Sequence, residues 1–159
     1  MASSEIVEGL RTCELFALLS EQEVEGLAAS LAGSCQIEAY KAGDTIFAQG
    51  EHGTRLYIVA EGQVLLKRTF YLGDRTATTP LALLGKGRAI GWTSLLYGPR
   101  YATASAVCQK PSRVISVEGT ALRSVLEREP SIGFRVMERL ACMLGDRLRQ
   151  AYSATETHL

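Results

Sequence analysis

The sequence predicts a mainly β fold with flanking helices, and three observations carry that reading. Apolar residues recur at helical spacing near the start of the chain, just after a capping box at Ser20-Glu21-Gln22-Glu23. From Cys35 to Val117 short runs follow the two-residue period of strands, punctuated by glycines. From Ala121 onward the helical spacing returns. Seven or eight short strands with no long crossover helix between them suit a sandwich, barrel or jelly roll and argue against a parallel α/β sheet.

Near the start of the chain, Leu15, Phe16, Leu18 and Leu19 form an apolar cluster that packs on the next elements of the chain. Val24, Leu27, Ala28 and Leu31 give the capped helix one apolar face. Strands are predicted at Gln36–Tyr40, Thr45–Ala48, Arg55–Ala60, Val64–Phe70, Pro80–Leu84, Ala102–Cys108 and Arg113–Val117. A short amphipathic helix spans Ala121–Leu126, and Pro130 ends it and starts the next. The last helix, about Ser131 to Tyr152, carries Met137, Leu140, Leu144, Leu148 and Ala151 at steps of three and four, like a coiled-coil seam. The seam points to a homodimer, the competing reading being one-sided packing on the strands. The polar tail from Ser153 to Leu159 is expected to fray.

Composition narrows the function. The chain has 159 residues, enough for one domain with a real core. Its 17 basic residues balance 17 acidic ones, which argues against direct nucleic-acid binding. No apolar run approaches the ~20 residues of a membrane span. Met1-Ala2-Ser3-Ser4-Glu5 lacks the features of a secretory leader, so a cytoplasmic location is expected. Cys13, Cys35, Cys108 and Cys142 are scattered and read as buried, reduced thiols. His52 and His158 are isolated, so both are expected at the surface, with no metal site and no catalytic group.

The order of helices, glycine-punctuated strands, short helix and long helix resembles the cyclic-nucleotide-binding domain of the catabolite activator and protein-kinase regulatory-subunit superfamily. Leu15 to Glu23 is similar to its opening helix, Tyr40 to Glu51 to its first two strands, and Leu56 to Val64 to its central hairpin. The resemblance implies a double-stranded β-helix (jelly roll) with N-terminal helices and a long C-terminal helix. It implies one domain over 1–159, with helices at 10–33, the β-roll at 35–118 and the C-terminal helices at 119–152. Ile90 to Ala104 is similar to the family's phosphate-binding cassette, and the ligand implied is cAMP, cGMP or another small anion. The ligand-binding residues implied are Gly91, Trp92, Thr93, Ser94, Arg100, Tyr101 and Ala102, with Arg100 as the phosphate's partner.

The cassette departs from the family pattern at three places. Trp92 stands where a glutamate holds the ribose, and an indole has one donor and no acceptor. The loop from Gly91 to Arg100 is one residue short. On the long helix, Arg147 and Leu148 stand where some members offer a hydroxyl to the base. Alternatives therefore stay open. Trp92 is either an aromatic wall or core packing, the commoner role of a lone tryptophan. Arg100 is either an anion anchor or an arginine paired with a carboxylate. Thr93 and Ser94 either donate to an anion or cap the short helix. The whole chain is a non-enzymatic sensor that signals through an unidentified protein partner, or a ligand-free dimerisation module with a filled pocket. A cupin-type metalloenzyme would need several histidines, and this chain has two.

Overall fold

Ser3 opens the first helix, α1 (Ser4–Thr12): its hydroxyl accepts from the Ile6 amide at 3.3 Å. The computed structural model describes residues 3–98 and 100–156. Helix α1 begins ahead of the expected block at 10–33, and its signal is the spacing of Ile6 and Leu10, both buried. A 3₁₀ turn at Glu14–Phe16 buries Leu15 and Phe16, whereas Leu18 is exposed. The predicted capping box closes α2 (Glu21–Leu31), with the Glu23 amide donating to Ser20 Oγ at 3.1 Å and the Ser20 amide to Glu23 Oε1 at 2.9 Å.

Eight strands come next: β1 (Cys35–Tyr40), β2 (Thr45–Phe47), β3 (Arg55–Glu61), β4 (Val64–Leu72), β5 (Arg75–Leu84), β6 (Ala89–Ile90), β7 (Ser105–Cys108) and β8 (Ser112–Glu118). They form two four-stranded sheets, ordered β1-β8-β3-β6 and β2-β7-β4-β5, paired antiparallel throughout. This is the jelly roll that the resemblance implied. Two strands start elsewhere than the sequence reading placed them, and one, β6, was not read at all. Strand β5 starts at Arg75 rather than Pro80, because the two-residue turn Gly73-Asp74 folds it straight back on β4. Pro80 lies inside it, opposite Lys67 at a register shift and on a sheet edge, where a missing N–H is tolerated. Strand β7 starts at Ser105 rather than Ala102, since 102–104 turn along a cavity inside the roll. The two-residue β6 is too short to leave a periodic signal.

Two apolar clusters result. Val59, Val64, Leu66, Leu84, Ile90 and Ala106 fill the space between the sheets. Leu56, Ile58, Ile115 and Val117 face the helices. Leu56 and Ile58 thus point one way along β3, and Tyr57 and Val59 the other. No helix among the described residues is long and apolar enough to cross a membrane.

Helix α3 (Gly119–Arg128) and helix α4 (Pro130–Glu156) close the fold. The face of α4 that meets the body is Ile132, Val136, Leu140 and Met143, all buried. Of the predicted seam only Leu140 is buried; Leu148 is 52% exposed, and Phe134 and Tyr152 are exposed near it. The body therefore takes the face beside the seam most fully, half-buries Met137 and Leu144, and leaves Leu148 to solvent. Arg135 clamps α4 to α2 through both Glu23 carboxylate oxygens, at 2.8 and 2.5 Å. Those bonds, with the Ser20 amide, hold the Glu23 carboxyl down at about 2. Helix α4 stays helical through Glu156, where fraying from Ser153 was expected, and 157–159, including His158, lie outside the described residues. All four thiols are free. Cys13 and Cys108 are buried and Cys35 half-buried, but Cys142 is exposed, because it falls on the solvent side of α4.

Candidate functional site

The segment after β6 is shaped by one glycine. Gly91 has φ +82°, a conformation L-residues avoid, and a Cβ there would lie 2.6 Å from the Arg55 carbonyl oxygen on β3. The chain can thus leave β6 and wind at once into a 3₁₀ turn, Trp92–Leu95. The two hydroxyls of this turn are engaged internally. Ser94 Oγ donates to the Gly91 carbonyl at 2.7 Å, and Thr93 Oγ1 to the Arg100 carbonyl at 3.3 Å. Neither accepts as a helix cap. Half-buried Arg100 donates from Nε to the Leu96 carbonyl at 3.1 Å. Among the described residues, no carboxylate lies within ion-pair distance of Arg100. Tyr101 is 58% exposed and sits edge-on to exposed His52.

Beneath the turn, inside the roll, lies a cavity of about 30 Å³. Phe47, Leu66, Ile90 and Ala104 give it apolar walls, Gly91, Trp92 and Thr93 its roof, and Arg147 of α4 its one charged side chain among the described residues. A second cavity of about 110 Å³ adjoins it, sharing Phe47, Gly91, Thr93 and Ala102, and is lined also by Glu51, His52, Arg55 and Tyr57. Of the seven residues singled out in the sequence, Gly91, Trp92, Thr93 and Ala102 are thus brought together on a cavity wall. Ser94, Arg100 and Tyr101 are not on either lining among the described residues. Trp92 also packs on the helix-side core, so it is both wall and packing.

Arg147 came to notice in the sequence only as a missing hydroxyl. Its position was legible in one respect: it continues the buried face Ile132, Val136, Leu140, Met143 by a further four residues. Its side chain is 12% exposed, and Nη2 donates to the Ala89 carbonyl at 2.8 Å. Burial pushes its guanidinium down to about 10, which still leaves it charged at neutral pH. Glu14, from the 3₁₀ turn before α2, lies 3.5 Å from Arg147 and 3.1 Å from Arg88, and accepts from the Ala89 amide at 2.7 Å.

The cassette is also tied to α3. Gly119 packs so closely on the turn that a Cβ would lie 2.2 Å from the Ser94 carbonyl oxygen. Arg123 donates to the Leu95 carbonyl at 3.0 Å and lies 4.1 Å over the Tyr97 ring, whose hydroxyl donates to Glu127.

Residues 37–129 match the family model described as cyclic nucleotide-binding domain, more than half of the chain. The chain belongs to the cyclic nucleotide-binding domain family. Among relatives of this domain, the cyclic AMP receptor protein of Thermus thermophilus is 38% identical over 117 residues, covering 73% of this chain and 50% of that one. A CRP-like cAMP-activated global transcriptional regulator of Mycobacterium tuberculosis is 32% identical over 123 residues, covering 77% and 51%. The domain spans about half the length of these two relatives. Among solved structures, a cyclic nucleotide-binding domain from Methylobacillus flagellatus superposes with a TM-score of 0.75 at 25% identity, covering 98% and 83%. The N-terminal domain of a transcriptional regulator from Streptomyces coelicolor gives 0.66 at 30% identity, covering 92% and 94%. The chain is thus a cyclic nucleotide-binding regulatory domain homologous to CRP-type regulators, in a family that is generally non-enzymatic.

Proposed function

We propose that the chain acts as one sensory domain that binds a small anionic ligand of the cyclic-nucleotide class in the β-roll and passes the bound state to α4. The observation that carries this is the shared cavity wall: one side is the Gly91–Thr93 turn and the other is Arg147 of the long helix. The relatives named for cyclic AMP support the ligand class. At about 30 Å³ the inner cavity is far below the ~300 Å³ of an ordinary ligand pocket. A nucleotide entering it must move either the Trp92 turn or α4. That requirement couples occupancy to helix position, since a ligand shifts an equilibrium only by binding one arrangement more tightly.

The test uses Trp92, the sole tryptophan. Titration with cAMP and with cGMP is expected to change its emission and to raise the melting temperature, by the equivalent of about 2.7 kcal/mol at a hundredfold excess over Kd. A flat response at millimolar nucleotide overturns the cyclic-nucleotide reading.

The output surface is the exposed seam of α4. Exposed Phe134, Leu148 and Tyr152, with half-buried Met137 and Leu144 beside them, form an apolar strip along the helix, which suits a second copy of the same helix. Light scattering is expected to give twice the 17.2 kDa chain mass. A monomer at high micromolar concentration sinks the dimer.

A further inference from the structure

The hydrogen bonding of the buried guanidinium at the inner end of α4 is incomplete. Buried Arg147 and the more exposed Arg88 converge on one carboxylate, Glu14, with Asp146 acting on Arg147 from farther off. A single oxygen, Glu14 Oε2, already accepts from the Ala89 amide and from Arg88 before Arg147 reaches it at 3.5 Å. Arg147 keeps Nη2 on the Ala89 carbonyl, but its Nε–H is sealed from solvent and has no acceptor among the described residues. A buried charge with an unmade hydrogen bond is strongly unfavourable, and native structures keep such groups mainly where something completes them.

Arg147 lines the inner cavity, whose remaining walls are largely apolar. Arg100, the anchor implied by the cassette pattern, lies on neither cavity lining among the described residues and donates to its own loop at Leu96. We propose that Arg147, carried on α4, holds the anionic group of the ligand, a phosphate or a carboxylate. The assignment deepens the proposal of a β-roll sensor and rests on the same cavity. A planar guanidinium with parallel donors fits either oxyanion. About 30 Å³ admits on the order of two water-sized groups, which suits an oxyanion head rather than a purine. The adjoining space of about 110 Å³ is where the rest of a ligand begins. Placing the anion on α4 makes one residue serve binding and relay together, because the bound charge competes with Glu14 for Arg147.

The full chain is to be titrated with inorganic phosphate, succinate and cAMP, each against chloride at equal ionic strength, with Trp92 emission and melting temperature as readouts. Wild type is expected to respond to at least one probe. R147Q should weaken that response about tenfold or more, the scale of one charge-assisted hydrogen bond, while R100Q stays within about threefold. R147K, which keeps the charge without the planar fork, should fall between them and decides the matter if R147Q does not fold. Phosphate or succinate binding that depends on Arg147, with no response to cAMP, upholds Arg147 and removes the cyclic nucleotide. Binding of cAMP that R147Q leaves intact, or that R100Q abolishes, overturns the assignment while the β-roll reading stands. No response to any probe overturns both.

Discussion

Gly91→Ala is expected to lower the free energy of unfolding by about 3 kcal/mol. Two costs add. A non-glycine residue at φ +82° costs roughly 1–2 kcal/mol in backbone strain. The new methyl then meets the Arg55 carbonyl oxygen at 2.6 Å and the Tyr57 ring at 3.4 Å, an overpacking of about 1–3 kcal/mol. Relief is hard to find, because Arg55 and Tyr57 are held in register with Glu118 and Ser116 on β8, and Tyr57 pairs with Ile90 on the other side. The cheapest escape is to push the Trp92–Leu95 turn outward, so Trp92 emission should shift in the folded variant as well. Urea denaturation followed by circular dichroism measures the first effect. A loss below about 1 kcal/mol with unchanged emission would show that Gly91 does not set the turn.

Glu14→Ala is expected to cost a similar amount, about 3 kcal/mol, for an electrostatic reason. Its side chain is 14% exposed and is the counter-charge of both Arg88 and Arg147. Removing one partner of a buried ion pair costs roughly 3–5 kcal/mol because the other charge is left uncompensated, and here two are left, one of them more exposed. The Ala89 amide also loses its acceptor. Glu14→Gln keeps an acceptor for that amide and should therefore lose only about half as much. A Glu14→Gln variant with an unchanged urea midpoint would mean that shape and the Ala89 hydrogen bond, rather than charge, hold Glu14. The same pair bears on the proposed relay: with Glu14 neutralised, Arg147 loses its ion-pair partner, so an anion that binds at Arg147 should stabilise Glu14→Gln more than wild type.

These two sites link the cassette to both terminal helices of the fold. Gly119 lies against Ser94, Arg123 bonds the Leu95 carbonyl, and Glu14 and Arg147 meet beneath β6. In the proposed relay, a displacement of the turn would press on α3 through packed backbone and on α4 through buried charge. Both contacts are short and direct.

What the amino-acid sequence determined by itself was whatever depends on chain neighbours. The capping box needs only Ser20 and Glu23 three residues apart. The alternation of Leu56, Tyr57, Ile58 and Val59 needs only the pleat of one strand. The short strands, their glycine turns and the flanking helices were legible for that reason, whereas the jelly roll and the cassette were what the family resemblance implied. Tertiary structure alone decided which cation faces the cavity. Arg100 and Arg147 are chemically identical, and their fates differ because one lies near the carbonyl of its own loop while the other is carried in by a helix to bond Ala89, 58 residues away. It also decided which stripe of α4 is buried most deeply, because the body covers Ile132, Val136 and Met143 fully, Met137 and Leu144 in part and Leu148 hardly at all. Burial and counter-charge are properties of what the rest of the chain brings to a residue, and no local spacing encodes them.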